Sequence, residues 1–152
     1  LRDLDLSDLD WIDGQERSIF GVAAWSRSAI EEGLSSGRAR YRGVEVDHVL
    51  VAYAVFGWEG DEPHLMNLAV VPTARRQGHA RALLDDFFAG ARRAAARRVW
   101  LEVAATNAPA IALYREYGFE VIRVRQRYYQ PEDVDALVMC ASATAKSGEK
   151  GS

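Results

Sequence analysis

Cysteine occurs once, at Cys140, in a chain of 152 residues. A lone thiol excludes an internal disulfide and a multi-thiolate zinc site, and it fits a reducing compartment. Positive charge is not in excess either: 19 basic against 22 acidic side chains leave a formal net charge of -3. That balance provides no global field for nonspecific nucleic-acid binding, so no direct nucleic-acid partner is expected. No apolar run approaches the ~20 residues that span a bilayer, and no membrane partner is expected. The opening Leu1–Leu6 stretch lacks the basic flank and apolar block of a signal peptide. A cytoplasmic protein is the expectation, with a natural start before Leu1. Neither GxxxxGK(S/T) nor a strand-linked GxGxxG occurs, which excludes P-loop and Rossmann nucleotide sites. His48, His64 and His79 show no ligand spacing, so no metal is expected.

What is present describes an ordinary folded chain, with 49% hydrophobic and 27% charged residues. The length suits one compact domain, read here as residues 1–141, followed by a polar stretch over 142–152 that carries both lysines and reads as a disordered tail. Apolar spacing between Asp8 and Gly37 is helical, with a bend near Phe20-Gly21. From Tyr41 to Trp58 the pattern becomes that of two antiparallel strands, and His64–Val71 forms another, stopped by Pro72. A helix is expected from Arg75, because Ala80, Leu83, Leu84, Phe87, Phe88 and Ala91 share one face. Val99–Ala104 reads as a strand and Ala108–Tyr117 as a helix, with Asn107 as its cap and Gly118 as its stop. Phe119–Tyr129 and Val134–Ala141 read as a closing antiparallel pair. Alternation of this kind predicts an α/β fold.

The chemistry is concentrated where the His64–Val71 strand passes into the next helix through Arg75, Arg76, Gln77, Gly78, His79, Ala80 and Arg81. A helix start presents unpaired backbone N–H groups and the positive end of a dipole, which together attract phosphate oxygens. Gly78 admits close backbone approach, and Ala80 keeps a side chain out of the way. The three arginines add charge. A solvated basic rim is the other reading of the same residues. Glu102 alternates with Leu101 and Val103 and therefore points to the opposite face of its strand. Tyr114, three residues beyond Ile111, has the spacing of a packed core aromatic.

Arg75, Gly78 and Ala80 satisfy in phase the coenzyme-A signature Arg/Gln-x-x-Gly-x-Gly/Ala, and this stretch resembles the GCN5-related N-acetyltransferase (GNAT) family. The run Leu101-Glu102-Val103 … Asn107 … Ala110-Ile111 … Leu113-Tyr114 … Gly118-Phe119 is similar to the ribosomal-protein alanine N-acetyltransferases, the RimI group. The resemblance extends from about Leu4 to Ala141. It implies a mixed, mostly antiparallel sheet flanked by helices and split at a V between the Leu65–Val71 and Val99–Ala104 strands. The implied co-substrate is acetyl-coenzyme A, held by the backbone of Leu68, Ala69 and Val70, by the Arg75–Arg81 loop and by Asn107. The implied roles are general base for Glu102, acting through water, and general acid for Tyr114. The implied acceptor is a protein N-terminal α-amine, with a ribosomal protein beginning with Ala as the expected partner. Its pKa near 8 leaves a useful neutral fraction, unlike a lysine near 10.4. The acceptor is expected beside the Ile19–Trp25 bend, with Phe20 and Trp25, and beside Tyr129 and the turn bearing Glu132 and Asp133, whose field favours basic peptides. A lysine or small-molecule acceptor, a non-catalytic acyl-coenzyme-A sensor and an RNA-contacting module are the rival readings. Glu102 and Tyr114 weigh against the sensor, and the acidic charge balance weighs against the RNA module.

Overall fold

The computed structural model of the protein describes residues 1–129 and 134–144. Four helices and seven strands alternate along it: β1 (Arg2–Asp3), α1 (Leu9–Phe20), α2 (Arg27–Ser36), β2 (Arg40–Val46), β3 (Val49–Glu59), β4 (Glu62–Val70), α3 (His79–Arg93), β5 (Arg98–Ala104), α4 (Ala108–Glu116), β6 (Glu120–Tyr129) and β7 (Val134–Ser142). The strand order is β1-β2-β3-β4-β5-β7-β6. The β1–β2, β2–β3, β5–β7 and β6–β7 pairs are antiparallel, and β4–β5 is parallel. The expected α/β class with a mixed, mostly antiparallel sheet is therefore present. The parallel ladder joins His64 to Trp100 and Leu65 to Leu101. Among the described residues no helix is long and apolar enough to cross a membrane.

Chain contacts define two compact units. The first comprises Leu1–Trp58 with Met66–Leu84. Its α1 starts after a turn in which Asp5 and Asp8 cap each other's backbone, and it stops at Gly21, whose φ of 55° a side chain would resist. Ser26 opens α2 by accepting from the Ala29 N–H at 3.1 Å, and Gly37 closes it at φ 74°. The apolar faces of both helices cover strands whose buried residues include Tyr41, Tyr53 and Val55, with Leu4, Leu9, Ile12, Ile30 and Ala69 completing this core. Trp11 meets Tyr53 edge to face at 5.8 Å. Such buried apolar side chains contribute about 1.5–3 kcal/mol each.

The second unit comprises Glu59–Leu65 with the described residues from Asp85 onward. Phe88 is its centre, edge-on to Phe119 at 5.8 Å and stacked with Tyr117 at 5.7 Å. The Tyr117 hydroxyl donates to Asp85 at 2.9 Å. Helix α4 ends through Gly118 at φ 91°, with the Gly118 N–H donating to Arg115 O and the Phe119 N–H donating to Tyr114 O.

Three boundaries differ from the sequence expectation. Helix α3 begins at His79 rather than Arg75, because Arg76 at φ 64° and Gly78 at φ 84° are left-handed and cannot continue a helix. The short strand β1 was not expected; it pairs with β2 through Arg2–Gly43 and Asp3–Arg42. Strand β7 runs through Ser142, and the buried Ala143 donates its N–H to Arg97 O at 3.0 Å. The folded body thus extends at least two residues past 141, while 145–152 lie outside the described residues.

Candidate active site

Between β4 and α3 the chain turns through Pro72–Ala74 and then the Arg75–Gly78 loop. Arg75 is extended, whereas Arg76 and Gly78 are left-handed, a turn backbone of the kind that can gather N–H groups into an anion-binding concavity. The Ala82 N–H donates to Gly78 O at 3.0 Å, which makes Gly78 the residue that opens α3. Nothing lies within 4 Å of the position a Gly78 Cβ would take. His79 Nε2 is buried with no hydrogen-bond partner among the described residues, an orphan at the mouth of the helix. Arg75 folds back and donates from Nε to Val70 O at 3.1 Å. Cradle, helix start and orphaned imidazole nitrogen all fit a phosphate-bearing ligand.

Strand β4 carries the three expected backbone contributors. The Val71 N–H donates to Val51 O at 2.9 Å, so by alternation the N–H groups of Leu68 and Val70 face away from β3. The Leu68 N–H is already engaged, donating to Asn67 Oδ1 at 3.0 Å. Ala69 is part of the buried core.

Glu102 projects from β5 between the buried Leu101 and Val103, as the alternation requires, and is exposed. Its Oε1 accepts from Arg125 Nη1 at 2.9 Å, and that guanidinium lies 4.0 Å from the Tyr128 ring centre. Tyr114 is buried on α4, edge-on to Phe119 at 5.9 Å. Asn107 is the N-cap of α4, its side chain accepting from the Ala110 N–H at 3.3 Å. We expect Asn107→Ala to lower stability by about 1 kcal/mol, read in urea denaturation, because that amide loses its acceptor. A stability unchanged to within error would remove the cap from the account of α4.

On the acceptor side, Phe20 and Trp25 are half-buried against the core of the first unit. Tyr129 sits opposite Val134 in the β6–β7 ladder. Glu132 and Asp133 lie outside the described residues.

Sequence reasoning missed two residues. Arg125, the partner of Glu102, was read only as part of a strand. Glu16 is 1% exposed on α1 and accepts three hydrogen bonds: from the Trp25 N–H at 3.0 Å, from Asn67 Nδ2 at 2.6 Å and from the Tyr53 hydroxyl. A signal existed, since Glu16 falls one turn after Ile12 on the buried face of its helix. Burial and the carboxylate beside it hold the Tyr53 phenol far above its usual range, so it stays a donor. Tyr41 is pushed up to about 12, chiefly by burial and then by Glu16.

Residues 5–119 match the acetyltransferase (GNAT) family. The ribosomal protein bS18-alanine N-acetyltransferase of Escherichia coli K12 is 40% identical over 92 residues, 59% of this chain and 62% of that protein. The matched stretch thus spans under two thirds of that relative. The N-alpha-acetyltransferase RimI of Mycobacterium tuberculosis is 33% identical over 123 residues, 78% of this chain and 76% of its own length. The crystal structure of the ribosomal-protein-S18-alanine N-acetyltransferase from Escherichia coli superposes with a TM-score of 0.81 at 30% identity, covering 98% of this chain and 96% of that one.

Proposed function

The chain belongs to the acetyltransferase (GNAT) family, and from that premise we propose that it transfers the acetyl group of acetyl-coenzyme A to the N-terminal α-amine of a protein. The observation that carries this reading is the Arg75–Ala80 cradle with its two left-handed residues and the orphaned His79 nitrogen, which supports a pyrophosphate site at the start of α3. Acetyl-coenzyme A, when bound, supplies an activated acetyl thioester. The backbone amides of Gln77–Ala80 hold its phosphates, with Arg75, Arg76 and Arg81 adding charge and Asn107 a further polar contact. Val70 supplies the backbone N–H for the thioester oxygen, since the Leu68 N–H is taken by Asn67. Glu102 accepts the proton of the acceptor ammonium through a water, and Arg125 fixes the direction of its carboxylate. Tyr114 returns a proton to the departing sulfur; a phenol of pKa about 10 can do so for a thiol near 8.5.

The names of the relatives favour an α-amine over a lysine, and a small-subunit ribosomal protein beginning with Ala is the acceptor we propose. Phe20, Trp25, Tyr129, Glu132 and Asp133 are the acceptor contacts we propose. Incubation of the full chain with acetyl-coenzyme A and an Ala-initiated peptide that also contains lysine should give a product acetylated at the N terminus, located by tandem mass spectrometry. Acetylation confined to the lysine would move the protein to the rival class.

A further inference from the structure

We propose that Glu16 is a positioning residue that fixes the acceptor side of the site through the backbone of Trp25, an inference that rests on the acceptor reading above. Three observations carry it. Glu16 is a fully buried carboxylate whose three partners are all donors, from three separate segments: Trp25 after the α1 bend, Tyr53 on β3 and Asn67 on β4. A buried carboxylate costs several kcal/mol in lost hydration, and an apolar side chain would fill the same core volume without that penalty. What the carboxylate adds is direction. One oxygen accepts from the Trp25 N–H and the other from Tyr53 and Asn67, so the path of the chain just before α2 is referred to the interior strands.

Gly21, Val22 and Ala23 are exposed, Val22 by 75%, and they are tied locally by the Gly21 N–H to Arg17 O and the Ala24 N–H to Gly21 O. The Glu16 bond to the Trp25 N–H adds a long-range tie at the end of this exposed connector, where Trp25 packs against the core. The same carboxylate reaches the other side of the reaction. Asn67 donates to Glu16 from Nδ2 and accepts from the Leu68 N–H at Oδ1, so its amide orientation is set by Glu16 and in turn occupies a β4 amide. Acceptor-side connector and ligand-side strand are thus referenced to one buried group.

Glu16→Gln tests this, because Gln keeps the shape but turns one acceptor into a donor that must face Tyr53, Asn67 or Trp25. The expected result is an acceptor-peptide KM raised about ten-fold, the size of a lost charge-assisted hydrogen bond. kcat and the calorimetric affinity for acetyl-coenzyme A should stay within about three-fold, since Asn67 Oδ1 can still accept from the Leu68 N–H and no group assigned to the coenzyme or the chemistry is a direct partner of Glu16. Exchange of the Trp25 amide, followed by NMR with no substrate present, should quicken by about ten-fold, while the Ile12 amide is unchanged. The double variant Glu16→Gln with Asn67→Asp moves the charge by one partner and again gives Trp25 and Leu68 acceptors; it should recover most of the KM. Tyr53→Phe removes one donor at constant shape, and should shift KM and Trp25 exchange in the same direction by a smaller factor even if Glu16→Gln does not fold. A folded Glu16→Gln with wild-type KM, or with KM and coenzyme affinity lost together, would overturn the proposal. If the wild type acetylates no peptide N terminus, the acceptor reading fails. The KM comparison then uses whichever amine it does acetylate, and Trp25 exchange still decides whether Glu16 holds the connector.

Discussion

Glu102→Gln and Tyr114→Phe should each lower turnover by at least about 10²-fold, the low end of what general acid–base groups contribute, while acetyl-coenzyme A affinity largely survives. Gln at 102 retains an oxygen for Arg125 and occupies the same place between Leu101 and Val103, but it cannot accept a proton. Phe at 114 retains the ring that packs edge-on to Phe119 and loses only the hydroxyl. Neither change asks the core to repack, so a fall in turnover reports chemistry. The two losses should also differ in form. Without the base, raising the pH should restore part of the rate as the α-amine deprotonates on its own, whereas no such recovery is expected without the acid. Steady-state rates from about pH 6 to about 9 measure both, and wild-type turnover in both variants across that range would leave positioning alone as the source of catalysis.

Gly78→Glu should weaken acetyl-coenzyme A binding by about ten- to hundred-fold, equivalent to losing one charge-assisted contact of 1.5–3 kcal/mol. A side chain there meets nothing within 4 Å, so steric damage to the fold is not the cause. The φ of 84° costs any L-residue about 1–2 kcal/mol, and Gly78→Ala carries that strain without the charge. Calorimetry on both variants therefore separates the contributions: Ala should lose a few-fold at most, and Glu should lose more, with the excess shrinking at high salt. Equal losses would assign the effect to backbone shape. Unchanged binding in Gly78→Glu would place the phosphates elsewhere.

Much of this molecule was legible because its signals are local. Alternation placed Glu102 on the exposed face of β5, and Asn107 and Gly118 bracketed α4 as a capping residue and a left-handed stop should. The start of α3 was misjudged by four residues for an equally local reason, read in the wrong direction. Arg75 and Arg76 favour helix by propensity, but Arg76 is held left-handed by the loop it closes, and propensity is a weak force against that. Arg125 was invisible as a partner of Glu102 because 23 residues and a strand crossing separate them, and nothing in the sequence of an edge strand says which neighbour its side chain meets.

By itself, then, the sequence determined the succession of elements, the glycine-bearing, arginine-rich make-up of the β4–α3 junction and the side of the sheet on which Glu102 lies. These follow from periods of 2 and 3.6 residues, from glycine and capping residues, and from groups adjacent in the chain. The tertiary structure alone decided which donors converge on Glu16, that the Leu68 N–H pairs with Asn67 Oδ1, and that Arg125 meets Glu102 Oε1. The physical reason is the same in each case. A buried or paired charge is defined by which polar groups the fold brings within hydrogen-bonding distance, and for Glu16 those groups lie 9, 37 and 51 residues away.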